Sequence, residues 1–274
     1  MIDNTRIYSV QYIKELLNNM RASMLRSLGQ NFIIQENIVD KMINESDIKR
    51  TDNIVEIGPG LGALSFKIRE KSKTLLCIEK DKKFHKMLSA AMKGSNTTII
   101  NADILKIDSR LLPKKYKLVS NLPFNIANHV IRIFLEADYK PEMTLLIQKE
   151  VAQRIIGENG NQNLLSNSIK FYADSNISFV VSRENFWPAP HVDCAVIKIV
   201  PHKEQFSKDI EKKFFRILKA GFSHPRKQLL NNLSSGLKIE REKIGEKMKK
   251  IKIDHTRRAQ TLSFDEWLLL TKNL

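Results

Sequence analysis

The sequence predicts an α/β, Rossmann-like fold: a mostly parallel seven-stranded sheet with one antiparallel edge strand, followed by a small all-helical domain. Three observations carry this. Over the first 200 residues short apolar runs alternate with helical patterns, the signature of βαβ units. The first strong strand pattern, 53–57, runs into Gly58-Pro59-Gly60-Leu61-Gly62, the kind of glycine-rich turn that opens doubly wound sheets. After Val200 the strand patterns stop and lysine-rich helical patterns take over.

Strands are predicted at 53–57, 74–79, 97–101, 117–121, 143–148, 177–181 and 194–200. Helical patterns fill 61–71, 81–91 and 127–137 between the early ones. Right-handed crossovers then line up the strand C-terminal ends along one edge, where such sheets bind ligands. The last two strands are joined only by a Pro-rich loop, which favours an antiparallel hairpin at one edge. Beyond them, 206–220, 226–233, 240–250 and 264–270 read as helices, the last opening with a Ser263/Glu266 capping box. At the other end, Ile13, Leu16, Leu17, Met20 and Met24 fall at helical spacing, a segment able to pack across the larger domain. The chain thus divides into an N-terminal helical extension (1–26), a ligand-binding α/β domain (27–201) and a basic helical domain (202–274).

Bulk properties exclude several classes. The 274 residues, 42% hydrophobic and 28% charged, suit a soluble globular protein. No run approaches the roughly 20 apolar residues of a membrane span. The N-terminus lacks the regions of a signal peptide, and Asp3 and Glu15 argue against a transit peptide. Cys77 and Cys194 each sit in an apolar run without a metal-type partner, and the six histidines do not cluster, so no metal site and a cytoplasmic setting are expected. Net charge is +16. From residue 202 onward 18 Lys and Arg face 9 Asp and Glu, so over half the excess lies in the last quarter of the chain. Such a basic end suits a polyanionic partner.

The glycine turn alone also fits dinucleotide binding, since Glu79 follows Gly58 by 21 residues, where a ribose-binding acid would stand. Two features oppose a nicotinamide enzyme. The third strand ends at Asn101-Ala102-Asp103, placing a second acid at a strand end, where Asp103 can accept from an adenine amino group while Glu79 takes the ribose hydroxyls. The fourth ends in Asn121-Leu122-Pro123-Phe124, which has no role in hydride transfer. With Glu56 before the glycines, several acids surround one pocket, and that suits a sulfonium cation better than a pyrophosphate.

The tetrapeptide fits methyl transfer to an exocyclic amine. The lone pair of adenine N6 is delocalised into the ring. Acceptors holding both N6–H bonds, the Asn121 amide oxygen and the Leu122 carbonyl, push the nitrogen toward sp³ and aim its lone pair at the methyl group. Pro123 stiffens the turn, and Phe124 stacks on the base, worth ~1–3 kcal/mol. The methylated amine is acidic, so no strong general base is needed.

On these motifs the chain resembles the rRNA adenine N6,N6-dimethyltransferase family over nearly its whole length. Leu28-Gly29-Gln30-Asn31-Phe32, Glu56 to Gly62, and Asn121-Leu122-Pro123-Phe124-Asn125-Ile126 resemble its N-terminal, glycine and catalytic motifs. Gln148-Lys149-Glu150-Val151-Ala152-Gln153-Arg154, Pro188-Ala189-Pro190-His191-Val192-Asp193 and the run from Phe222 to Leu233 resemble later segments. The resemblance implies a class I methyltransferase fold and S-adenosyl-L-methionine as methyl donor, without a metal. It implies cofactor contacts at Asn31, Ile33, Gly58, Glu79, Asp103 and Asn121, and base handling by Asn121, Leu122 and Phe124. It implies two methyls on each of two adjacent adenosines of small-subunit rRNA, with the assembling 30S subunit as partner; nothing in the sequence suggests an obligate partner chain, so a monomer is expected. Arg226 and Lys227 are expected on RNA phosphates. Phe124 stands where the small-subunit branch usually has Tyr, and Cys194 where Ser is usual. Phe124 suits the antibiotic-resistance branch acting on large-subunit RNA; Leu122 and the segment from Arg226 to Leu233 suit the small-subunit branch. An assembly factor whose binding outweighs its chemistry is the reading from another class.

Overall fold

The computed structural model describes residues 2–21, 31–157 and 162–274. Met24 and the Leu28-Gly29-Gln30 part of the N-terminal motif lie outside the described residues. In chain order the elements are α1 (Val10–Asn19), β1 (Phe32–Ile33), α2 (Glu36–Glu45), β2 (Asn53–Ile57), α3 (Ala63–Lys71), β3 (Thr74–Glu79), α4 (Lys82–Ala91), β4 (Thr97–Asn101), β5 (Lys117–Asn121), α5 (Ala127–Glu136), β6 (Met143–Gln148), α6 (Lys149–Ile156), α7 (Leu164–Lys170), β7 (Ala173–Val181), β8 (Phe186–Trp187), β9 (Cys194–Pro201), α8 (Lys208–Gly221), α9 (Leu229–Leu237), α10 (Arg241–Lys250) and α11 (Phe264–Asn273). The chain forms two compact units, Met1–Ala152 with Ser175–Pro201, and Gln153–Asp174 with His202–Leu274.

In the first unit the seven strands run in the order β4-β3-β2-β5-β6-β9-β7. β4, β3, β2, β5 and β6 pair in parallel, whereas β9 runs antiparallel to β6. The fold class is therefore the one predicted, with one detail moved: the antiparallel strand lies one place in from the edge, and β7 is the border. Pairing β9 to β6 buries Cys194, Ala195, Val196, Ile197 and Ile199, an apolar run that an edge position would leave half wet. Central β2 has the same character, with Ile54, Val55 and Ile57 all buried. Between β2 and β5 the strand order reverses, which opens a crevice at their C-terminal ends.

The amphipathic N-terminal pattern does become a helix. Ile13 and Leu17 of α1, with Ile7 ahead of it, join Leu61, Phe66, Phe84, Leu88 and Met92 in one apolar cluster. Helices α2, α6 and α7 and the short β1–β8 ladder were not predicted.

The second unit is helical. Phe171 stacks on Phe214 with centroids 4.6 Å apart and also meets Phe206 and Phe215, so residues before β7 complete the core of helices after β9. Residues 153–174, placed by the sequence pattern within the larger domain, cluster here. The Ser263/Glu266 capping box forms as predicted. The helix predicted at 226–233 instead begins at Leu229. The preceding residues turn back, Lys227 N–H donating to the His224 carbonyl, while the Asn232 amide donates to the Gly221 and His224 carbonyls. Arg226 and Lys227 thus project from a loop and not from the helix.

Candidate functional site

At the sheet reversal lies a pocket of about 1160 Å³, counting the space open to solvent. Its walls come from the C-terminal ends of β2, β3, β4 and β5 and from β1, all within the first unit. Every residue predicted to contact cofactor or base lines it: Asn31, Ile33, Gly58, Glu79, Asp103, Asn121, Leu122 and Phe124.

The glycine turn brings the two functional loops together. Gly58 has φ +64, and a Cβ there would stand 3.3 Å from Pro123 Cγ. Ser120 Oγ donates to the Ile57 carbonyl at 2.6 Å, tying β5 to β2 one residue before each loop departs. The loop after β2 and the Asn121–Phe124 segment therefore share one rigid base.

Glu79, at the end of β3, is buried. Its two carboxyl oxygens accept from the Gly60 N–H (3.1 Å) and the Asp81 N–H (2.7 Å). Burial pushes its carboxyl above the usual range, against those two backbone hydrogen bonds. The parallel register sets Glu79 beside Asn101, and Asp103 follows two residues later. Lys80 Nζ, 3.0 Å from Asp103 Oδ2, holds that carboxyl below its ordinary value, and Oδ1 accepts from the Leu105 N–H. Asp103 is thus an ionised acceptor at the pocket rim. Ile33 is fixed by the β1–β8 ladder, where it pairs with Phe186.

Asn121 Nδ2 donates to the Asn31 carbonyl at 3.3 Å. This orients the amide, so that Oδ1 is the atom left to accept. Leu122 is buried, its N–H donating to the Leu146 carbonyl of β6. Phe124 is half-buried and packs on the core cluster beneath the sheet edge.

Sequence reasoning missed several wall residues. Ile7 reaches the pocket from the N-terminal segment, and Leu105 and Ile126 add apolar surface. Only tertiary packing of α1 on α3 and α4 brings Ile7 there, and no local pattern announces it. Glu56 was noted as a nearby acid; its burial and its Ser65 and Cys77 partners were not foreseen. Arg226 and Lys227 lie in the second unit, both exposed and without ion-pair partners among the described residues. Among the described residues no cluster of His, Cys, Asp and Glu could hold a metal ion, and no helix is long and apolar enough to cross a membrane.

Comparison with known proteins agrees with this geometry. A ribosomal RNA small subunit methyltransferase A from Dehalococcoides mccartyi (strain CBDB1) is 38% identical over 93% of this chain and 89% of its own. That of Clostridioides difficile (strain 630) is 35% identical over 97% and 96%. Among solved structures, a dimethyladenosine transferase from Plasmodium falciparum superposes with a TM-score of 0.73 at 22% identity, over 87% of this chain and 95% of that one. The 23S rRNA methyltransferase ErmE reaches 0.75 at 20% identity, over 89% and 99%; at such identities the likeness speaks to the fold. The family model for ribosomal RNA adenine dimethylase matches residues 21–274, which takes in every pocket element except the N-terminal segment that carries Ile7. With the glycine turn, both acids and the Asn121–Phe124 loop converging on one crevice, the chain belongs to the ribosomal RNA adenine dimethylase family.

Proposed function

We propose that the chain uses S-adenosyl-L-methionine to dimethylate N6 of two adjacent adenosines in small-subunit (16S) rRNA, acting as a cytoplasmic monomer on the assembling 30S subunit. The observation that carries this reading is the placement of Asn121, Leu122 and Phe124 in the same pocket as Glu79 and Asp103. A nucleotide-type site and an amine-acceptor site share one cavity there.

The residues present fit the donor. Glu79 keeps lone pairs beyond the two backbone bonds it accepts and serves the ribose hydroxyls. Asp103, ionised at the rim, takes the adenine amino group. Asn31, Ile33 and Gly58 complete the walls. Buried acid beside the glycine turn suits a cation and opposes the pyrophosphate of a nicotinamide cofactor. When bound, S-adenosylmethionine supplies an electrophilic methyl group.

The chain's own part is to position the target. The base enters unstacked from its helix. Phe124 stacks on it. Asn121 Oδ1, fixed because Nδ2 is held by the Asn31 carbonyl, accepts one N6–H, and the Leu122 carbonyl accepts the other. An amide acceptor avoids an ion pair with the donor's cation, and the acidified amine loses its proton to solvent. Alignment of this kind is worth up to roughly 7–11 kcal/mol of the barrier. The basic helical unit, through Arg226 and Lys227, supplies phosphate contacts that carry affinity without sequence information.

The test is transfer from radiolabelled S-adenosylmethionine to unmodified small and large subunits, followed by nucleoside analysis. Dimethyladenosine confined to the small subunit is expected. Label in the large subunit overturns the substrate and gives weight to Phe124. Donor binding without transfer to either supports an assembly factor.

A further inference from the structure

Glu56 is the one charged side chain in the apolar run of β2. It is 2% exposed, yet Glu56 is among the residues that line the pocket, as is Gly58 two residues on. Oε2 accepts from Ser65 Oγ at 2.6 Å, and Cys77 Sγ lies 3.6 Å away. The groups facing it are Ser65 from α3 and Cys77 and Glu79 from β3. None is a cation. No Lys, Arg or His pairs with it among the described residues, and burial pushes the neighbouring Cys77 thiol up as well.

A buried carboxylate without a counter-charge is unfavourable, so such groups are paired or carry a proton. Among the described residues no cation meets this carboxyl, and Glu56 borders the cavity. The methyl donor has one more positive charge than the thioether product it leaves behind. We propose that Glu56 is the counter-charge for the donor: a carboxylate while the cationic donor fills the pocket, a carboxylic acid while the neutral product or nothing does. This rests on the cofactor reading above and deepens it, making Glu56 the residue that distinguishes donor from product by charge.

Burial, helped by the Glu79 charge, pushes the Glu56 carboxyl up to about 8, although Ser65 and Cys77 donate to it. At neutral pH the free protein therefore holds a proton there, and donor binding releases it to solvent. Donor affinity then rises with pH toward about 8, at most tenfold per pH unit, and levels off above it. Product affinity does not rise. During turnover the C–S bond breaks as the C–N bond forms, and sulfur keeps the electron pair. N6 loses a proton to solvent and Glu56 takes one back, so the chemical step is proton-neutral overall.

The experiment is calorimetric titration of the full chain at pH 7 in phosphate and in Tris, whose different ionisation enthalpies count the protons released. S-adenosylmethionine is expected to release about one proton more than S-adenosylhomocysteine. Glu56→Gln, which keeps an acceptor for Ser65, is expected to erase that difference and lower the donor-to-product affinity ratio about tenfold. Equal proton counts for the two ligands in the wild-type chain overturn the proposal without recourse to any variant. A difference that survives Glu56→Gln also overturns it, because the proton then belongs to Glu79. Failure of both ligands to bind removes the cofactor reading, and this proposal with it.

Discussion

A methyl group added at Gly58 probes the join between the glycine turn and the Asn121–Phe124 loop. Two costs arise from the structure. The backbone there has φ +64, a region that costs an L-residue roughly 1–2 kcal/mol. The new Cβ would also stand 3.3 Å from Pro123 Cγ and 3.4 Å from Cδ, so the proline ring must give by a few tenths of an ångström. Pro123 links Leu122, the proposed acceptor of an N6–H, to Phe124, proposed to stack on the base. A shift of 1 Å in such a site costs about 10²-fold, so a few tenths cost about 3–10-fold. Gly58→Ala should therefore lose about 1–2 kcal/mol of stability and about 3–10-fold in single-turnover rate at saturating donor. Gly94→Ala is the control: φ is +79, but no atom lies within 4 Å of the added Cβ, so it carries backbone strain without the contact. It should melt earlier and turn over normally. Equal single-turnover rates for Gly58→Ala and wild type would refute the mechanical coupling of the two loops.

Asn121→Ala removes the oriented acceptor and should lower transfer by about 10²–10³-fold while RNA binding, measured by filter retention, stays near wild type; equal loss of both would show that Asn121 is not the acceptor. Replacing both Arg226 and Lys227 with Ala should flatten the slope of log affinity against log salt by about 1.4–1.8, since two phosphates are no longer neutralised. An unchanged slope removes them from the interface. In the helical unit, a Cβ at Gly221 would sit 2.3 Å from Trp267 Cη2, inside the fully buried indole. Gly221→Ala should cost ~1–3 kcal/mol in thermal melting, partly restored by a second change of Trp267→Leu.

What local sequence could and could not reveal follows from how each feature is held. The five parallel strands appear where their apolar runs predicted them: the central ones are covered on both faces and so are largely apolar, while border β4 is partly exposed and carries a shorter apolar pair, Ile99 and Ile100. Glu79, Asp103 and Asn121 were legible for the same reason: each sits at or just past the point where such a run meets the ligand-binding edge. The start of α9 was misplaced because a good helical pattern at 226–233 lost to a turn held by Asn232, eleven residues from one of its partners. Ile7 and the Glu56–Ser65–Cys77 cluster were illegible because only packing across α1, α3 and β3 assembles them. Within the pocket, contributions near strand ends were readable from local pattern, Asn31 and Ile33 only through the family resemblance, and Ile7 through neither.

The two-part make-up of the helical unit constrains how it can be moved or studied. A cut at residue 201 would leave Phe206, Phe214 and Phe215 without Phe171, exposing an aromatic surface in the severed fragment. The chain enters and leaves this unit before β7, then returns after β9, so the unit is stitched through the sheet's last strands and not appended to them. Grafting it onto another catalytic domain would mean carrying two segments, with β7, β8 and β9 passing between them. Such stitching makes the helical unit hard to exchange by simple recombination, since both of its segments would have to move together.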